Sequence, residues 1–343
     1  YGYRKGGAMI DRSRRISFTF DGRKYEGFSG DTLASALLAN GVHLLARSFK
    51  YHRPRGVVSA GSEEPNALAT VIAGEGRRTP NLRATMVELY DGLEAESQNR
   101  FPSLQWDLGA IVDCLSPIFG AGFYYKTFMW PRSFWKMLYE PAIRGAAGLG
   151  VAPTHADPDR YATRYAHCDV LVVGSGPAGL SAARAAAQAG EKVLLCDERA
   201  QFGGMLFDSP NEPIEGRAAG QWRRDTVEAL REFANVRLLP RTTAFALYPG
   251  NFALLNERVT DHLASPDPRL PRERIWQVRA KRVVLATGAI EQPIVFGGND
   301  RPGVMLSSAA CSYAKRWGVI VGDRAVVISA CDSAWENAFE LSK

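Results

Sequence analysis

The chain has 343 residues, of which 46% are hydrophobic and 23% charged, an ordinary globular composition with enough length for two or three domains. Its formal net charge is +6, but the basic residues scatter outside "YGYRKGGAMIDRSRR" and "RSFKYHRPRG" with no interleaved recognition motif, which sets nucleic-acid binding aside. Cys114, Cys168, Cys196, Cys311 and Cys331 form no C-x-x-C pair, which argues against a zinc site and a disulfide framework and fits a reducing, cytoplasmic setting.

The N-terminus lacks the apolar core of a signal peptide. In "RISFTFDGRKYEGFSG", Ile16, Phe18 and Phe20 alternate with polar residues and Asp21-Gly22 supplies a turn, so a β-hairpin is expected. "DTLASALLANGV" reads as a helix capped by Asp31, with Leu33, Leu37 and Leu38 on one face and Gly41 at its end. Hairpin, helix and further short strands make residues 1–95 a small α+β domain. Residues 96–165 are aromatic, rich in proline and glycine and weakly periodic, as in a connector that wraps a neighbour. Within them "FGAGFYYKTFMWPRSFWKMLYEP" carries Lys126, Arg132, Lys136 and two prolines, so it does not read as a membrane span. Its aromatic residues over 123–139 are expected in a core or a subunit interface.

From 166 to 343 the pattern is α/β. "CDVLVVG" reads as a buried strand, 177–190 as a helix and "KVLLCDE" as a second buried strand, together one βαβ unit. "RVVLATG" (282–288) and "RAVVISA" (324–330) read as two further strands. "DSAWENAFELSK" begins a helix, so the chain reads as part of a longer one, with a second nucleotide-type domain starting at about 320.

The glycine turn of "LVVGSGPAGL" is the most informative segment. Gly174 permits the tight turn, Gly176 lets the backbone approach a pyrophosphate, and Gly179 lets the helix pack closely on the strand. Pro177 and Ala178 complete the turn, and the positive end of the helix faces the phosphates. Asp197 and Glu198 stand about 20 residues further on, where an acid holds the adenosine ribose. An acid there favours a free 2′-hydroxyl, hence NAD or FAD over NADP, and the residues alone leave those two open. In "DERAQFGGM", Arg199, Gly203, Gly204 and Met205 follow the acid where a loop passes near the nucleotide. Thr287-Gly288 ends the later strand, either as an ordinary turn or as part of the same pocket. At 329–334 the second domain's turn reads Ser-Ala-Cys-Asp-Ser-Ala, without glycine and with Asp332 set to repel a pyrophosphate, so a second nicotinamide site is not expected.

Three long blocks, "SFTFDGRKYEGFSGDTLASALLANGVHLLARSFKYHRPRG", "SGPAGLSAARAAAQAGEKVLLCDERAQFGG" and "ATGAIEQPIVFGGNDRPGVMLSSAA", resemble the α-subunit family of heterotetrameric sarcosine oxidases. The resemblance implies a ferredoxin-like β-grasp domain followed by a Rossmann-type domain of the two-dinucleotide-binding flavoprotein kind. It implies NAD in the α subunit, FAD on the β subunit, FMN between α and β, and γ and δ subunits as further partners. The implied reaction oxidatively demethylates sarcosine to glycine with O2 and tetrahydrofolate, giving H2O2 and methylene-tetrahydrofolate. The folate half is absent here, so the isolated chain is expected to be inactive. Related dehydrogenases carry cluster cysteines after H-R-P-R-G, but His52 through Val71 contain none, so no iron-sulfur cluster is expected. The alternatives are an FAD-binding subunit of an amino-acid or opine dehydrogenase and a non-redox scaffold stabilised by its dinucleotide. His52, His155 and His262 have no motif partner and read as surface or hydrogen-bonded structural residues. No catalytic residue and no metal ligand is assigned.

Overall fold

The computed structural model describes residues 4–114, 116–117, 122, 128–146 and 155–342. They fall into two units, one made of 1–157 with 292–343 and the other of 158–291.

In the first unit, β1 (Asp11–Phe20) and β2 (Arg23–Ser29) form the expected hairpin, Phe18 opposite Tyr25. Asp21 (φ 49°) and Gly22 (φ 75°) both turn left-handed, which matches the twist of the flanking strands. After α1 (Leu33–Ala39), strands β3 (Leu68–Ile72), β4 (Arg78–Arg83) and β5 (Leu93–Ser97) complete a five-stranded sheet of order β2-β1-β5-β3-β4. Only β1 and β5 run parallel; the other pairs are antiparallel. All seven residues of α1 are buried, where the leucine spacing predicted one apolar face. Its core also takes in Leu306, Ala309, Tyr313 and Trp317, so the helix has no solvent side.

The cap of α1 also differs from expectation. Thr32 is the N-cap: its hydroxyl accepts from the Ser35 N–H at 3.2 Å, while the Ser35 hydroxyl accepts from the Thr32 N–H at 2.9 Å. Asp31 is instead a buried anion 2.7 Å from Arg4, accepting also from the Phe28 N–H and the Ser35 hydroxyl. Burial pushes its pKa up, against the pull of Arg4. A second buried carboxylate, Glu64, organises the loop after the H-R-P-R-G stretch. It accepts from the backbone N–H groups of Val58, Ser59, Asn66 and Ala67 at 2.7–2.9 Å. His52 gains a partner the sequence did not show: its Nδ1 lies 2.7 Å from Asp107, whose side chain is fully buried.

Residues 324–330, read as a strand, pair with no strand among the described residues, and Val326 (89% exposed) and Ile328 (65%) face solvent. A strand exists only through its ladder, and an apolar run without a neighbouring strand stays extended chain. Helix Ser333–Leu341 follows it as read. Of the aromatic stretch 123–139, residues 123–127 lie outside the described residues; Trp130 and Trp135 are exposed rather than in a core of this chain. No helix among the described residues is long and apolar enough to cross a membrane.

The second unit is built on a six-stranded sheet. Its elements are β6 (Tyr161–Val173), α2 (Pro177–Gln188), β7 (Val193–Cys196), α3 (Ala219–Glu232), β8 (Val236–Leu239), β9 (Thr242–Tyr248), β10 (Phe252–Arg258) and β11 (Glu273–Leu285). The order is β8-β7-β6-β11-β10-β9, with the first four strands parallel and the last two antiparallel. Period-2 alternation divides the central strands. Val170, Val172, Val193 and Leu195 pack against Leu180, Ala183 and Trp222 of the two helices, while Leu171, Leu194 and Cys196 cluster with Leu255, Trp276 and Val278. Strand β6 runs longer than its apolar half, because Tyr161–His167 pair with Glu273–Arg279 of β11. Those residues alternate too weakly to be read as a strand in isolation.

Candidate functional site

Strand β6 ends at Val173 and the chain turns at Gly174, whose φ of 95° excludes most side chains. The Gly174 N–H donates to the Cys196 carbonyl at 2.9 Å and the Ala286 N–H to the Val173 carbonyl at 2.8 Å, so three parallel strands meet at this turn. A side chain at Gly174 would strike the Ala286 carbonyl, and one at Gly179 would strike the Gly174 carbonyl. Gly176 is different. It is the N-cap of α2, and a methyl added there would meet nothing within 4 Å. Pro177 at N1 needs no hydrogen bond, and the N–H groups of the first turn, including that of Ala178, point out of the helix end. Backbone donors beside open space at a helix N-terminus are what a pyrophosphate requires, so the residues present fit a dinucleotide.

The acidic strand end divides into two roles. Asp197 is buried, and both its oxygens are engaged: Oδ2 accepts from the Ser175 N–H at 2.8 Å and the Ser175 hydroxyl at 2.5 Å, and Oδ1 from the Arg199 N–H at 2.9 Å. Glu198 is half-buried beside it. The Ser175 hydroxyl also accepts from the Gly203 N–H at 3.0 Å, which draws in the loop after the acid. Gly203 (φ 145°) and Gly204 (φ 53°) are left-handed, and a methyl at Gly204 would lie 3.0 Å from the Gly176 Cα.

The fold therefore brings Gly174, Gly176, Gly179, Asp197, Gly203 and Gly204 together, with Thr287 running against Gly174. Met205 is 63% exposed, and Gly288 is exposed at φ 75° with no atom near its missing side chain. Three contributors escaped the sequence reading. Ser175 occupies a variable position of the glycine pattern, Arg223 donates to the Phe202 carbonyl at 3.1 Å, and Arg258 donates to the Glu198 carbonyl at 2.9 Å. A hydroxyl between the first two glycines was the available signal for Ser175. The arginines carry none, because they arrive from α3 and β10.

Residues 169–251 match the family of FAD dependent oxidoreductases. Over 333 residues, 97% of its length, the chain is 55% identical to "Sarcosine oxidase subunit alpha" of Rhizobium meliloti (strain 1021). The chain matches the N-terminal part of sarcosine oxidase subunit alpha. It is also 40% identical over 339 residues to the protein of that name from Corynebacterium sp. (strain U-96). It spans 34% and 30% of the length of these two sarcosine oxidase subunits. Among solved structures it is similar to L-proline dehydrogenase from P. horikoshii, at a TM-score of 0.63 and 23% identity, over 99% of this chain and 54% of that one, a likeness of fold.

One expectation is overturned. Residues 13–100 match the 2Fe-2S iron-sulfur cluster binding domain family, which corrects the reading of this domain as one without a cluster. Thiolates are the ligands that hold such clusters. The matched segment has no cysteine, and four N–H groups of its 58–67 loop bind the Glu64 carboxylate, so the residues present do not supply that donor set. No step below passes through a cluster.

Proposed function

We propose that this chain is the dinucleotide-holding N-terminal part of a sarcosine oxidase α subunit, a β-grasp domain followed by a Rossmann-type domain. The observation that carries the reading is likeness to that subunit along 97% of the chain, joined to a glycine turn whose Gly176 opens onto space. The helix end and turn would take the pyrophosphate and the acidic end of β7 the adenosine ribose. Loop 203–205 and Thr287-Gly288 would flank them. The nucleotide on this reading is NAD, held in an assembly whose other subunits carry FAD and FMN and oxidise sarcosine to glycine in the cytoplasm. The bound nucleotide positions and stabilises; this chain supplies no catalytic residue.

The match of residues 169–251 to FAD dependent oxidoreductases favours a second reading, FAD in the same pocket, which would move redox chemistry into this chain. Denaturing the purified protein and identifying the released nucleotide by mass spectrometry separates the two. NAD without flavin supports the first reading, FAD the second, and no nucleotide at stoichiometric level refutes both.

A further inference from the structure

We infer that Arg223 of α3 is a positioning residue of the pyrophosphate site, clamping the Gly203-Gly204 loop and giving the site its positive charge. This rests on the dinucleotide reading above. A pyrophosphate diester is a dianion, whereas the end of a helix presents roughly half a positive charge. Neither the turn 174–179 nor the loop 201–205 contains a lysine or arginine, and Arg184, further along α2, is paired with Glu215. Arg223 comes to the loop from α3. Its stem lies against Gly203, where an added methyl would come within 2.3 Å of the Arg223 Cδ. The next residue, Gly204, meets the turn, since a methyl there would lie 3.0 Å from the Gly176 Cα. The guanidinium donates to the Phe202 carbonyl at 3.1 Å and lies 4.3 Å from the centroid of the Phe207 ring. It is half-buried and makes no ion pair with a carboxylate among the described residues. Burial, and after it the like charge of Arg224, pulls its pKa below the usual arginine value, yet a guanidinium stays protonated. A cation taken partly out of water without a counter-ion is costly until an anion binds beside it.

Calorimetric titration of nucleotide-stripped chain with ADP-ribose, repeated from low to high potassium chloride, tests this role. Arg223→Met keeps an unbranched apolar stem and removes the charge. It should weaken binding on the order of tenfold at low salt, and its affinity should decline less with added salt than that of wild type. Arg223→Lys keeps the charge and should keep the wild-type decline. A folded Arg223→Met chain with unchanged affinity overturns the inference. So does one that binds more weakly with the wild-type salt dependence, because lost packing alone produces that result. Should Arg223→Met fail to fold, Arg223→Gln, which is neutral but retains a donor for the Phe202 carbonyl, carries the same comparison. Wild-type chain that binds no ADP-ribose would remove the dinucleotide reading itself. Wild type that binds it, matched by the neutral variant in affinity and salt dependence, removes this inference alone.

Discussion

The Ser175 hydroxyl donates to the Asp197 carboxylate across 2.5 Å, joining the turn after β6 to the end of β7, 22 residues away. Through this bond the glycine turn is braced by a buried carboxylate that belongs to the fold. The turn therefore has its conformation before any ligand arrives, and binding need not pay to order it.

The glycines of the turn should fail in different ways. Gly176→Val fills open space, so the chain should fold with a loss of about 1 kcal/mol while its nucleotide is lost. Gly179→Val drives a side chain into the Gly174 carbonyl and should cost roughly 1–3 kcal/mol or more. Nucleotide content and thermal midpoint, measured together, distinguish these outcomes; full nucleotide in Gly176→Val would remove the turn from the pocket.

Glu64 should be a large single contributor to the stability of the first domain. Glu64→Ala strips the acceptor from four backbone N–H groups and the Ser59 hydroxyl at a buried site, an expected loss of about 2–5 kcal/mol in urea unfolding. Glu64→Gln keeps one acceptor but sets an amide N–H against two backbone donors, so it should recover only part of that.

Asp31 ties stability to pH. Burial raises its folded-state pKa above the unfolded value of 3.8, so the folded chain holds that proton more tightly. The resulting contribution is complete below the unfolded value and is lost as pH rises through the folded one. The stability of wild type relative to Asp31→Asn should therefore fall with rising pH over that window in denaturant titrations. A difference that rises instead would show that the attraction of Arg4 outweighs burial.

Thiol reactivity should follow exposure. Burial pushes the Cys168 thiol up to about 11 and Cys196 up to about 12, and Cys311 is also buried, whereas Cys114 and Cys331 are exposed. Two of the five thiols should react promptly with Ellman's reagent in native protein, and the remainder only on unfolding. Prompt reaction of four or five would show that the second sheet opens readily.

Local rules made part of this protein legible without coordinates. Asp21-Gly22 turns the hairpin, and Gly174, Gly176 and Pro177, with Gly179 after them, turn β6 into α2, because left-handed backbone and helix entry depend on a few consecutive residues. Likeness along the chain made its kinship legible too, although the absence of cysteine in 13–100 led away from the family that this segment matches. What sequence could not decide depended on partners far along the chain. Asp31 gave up its capping role because Arg4 and Ser35 enclose it. His52 found Asp107 across 55 residues, and 324–330 stayed unpaired because an apolar run does not supply its own neighbour. Asp197 and Glu198 are adjacent acids of nearly equal chemistry. The parallel register of β6 beside β7 brings Ser175 to the buried Asp197, which accepts from the Ser175 N–H and hydroxyl, a contact across 22 residues that only the assembled sheet decides.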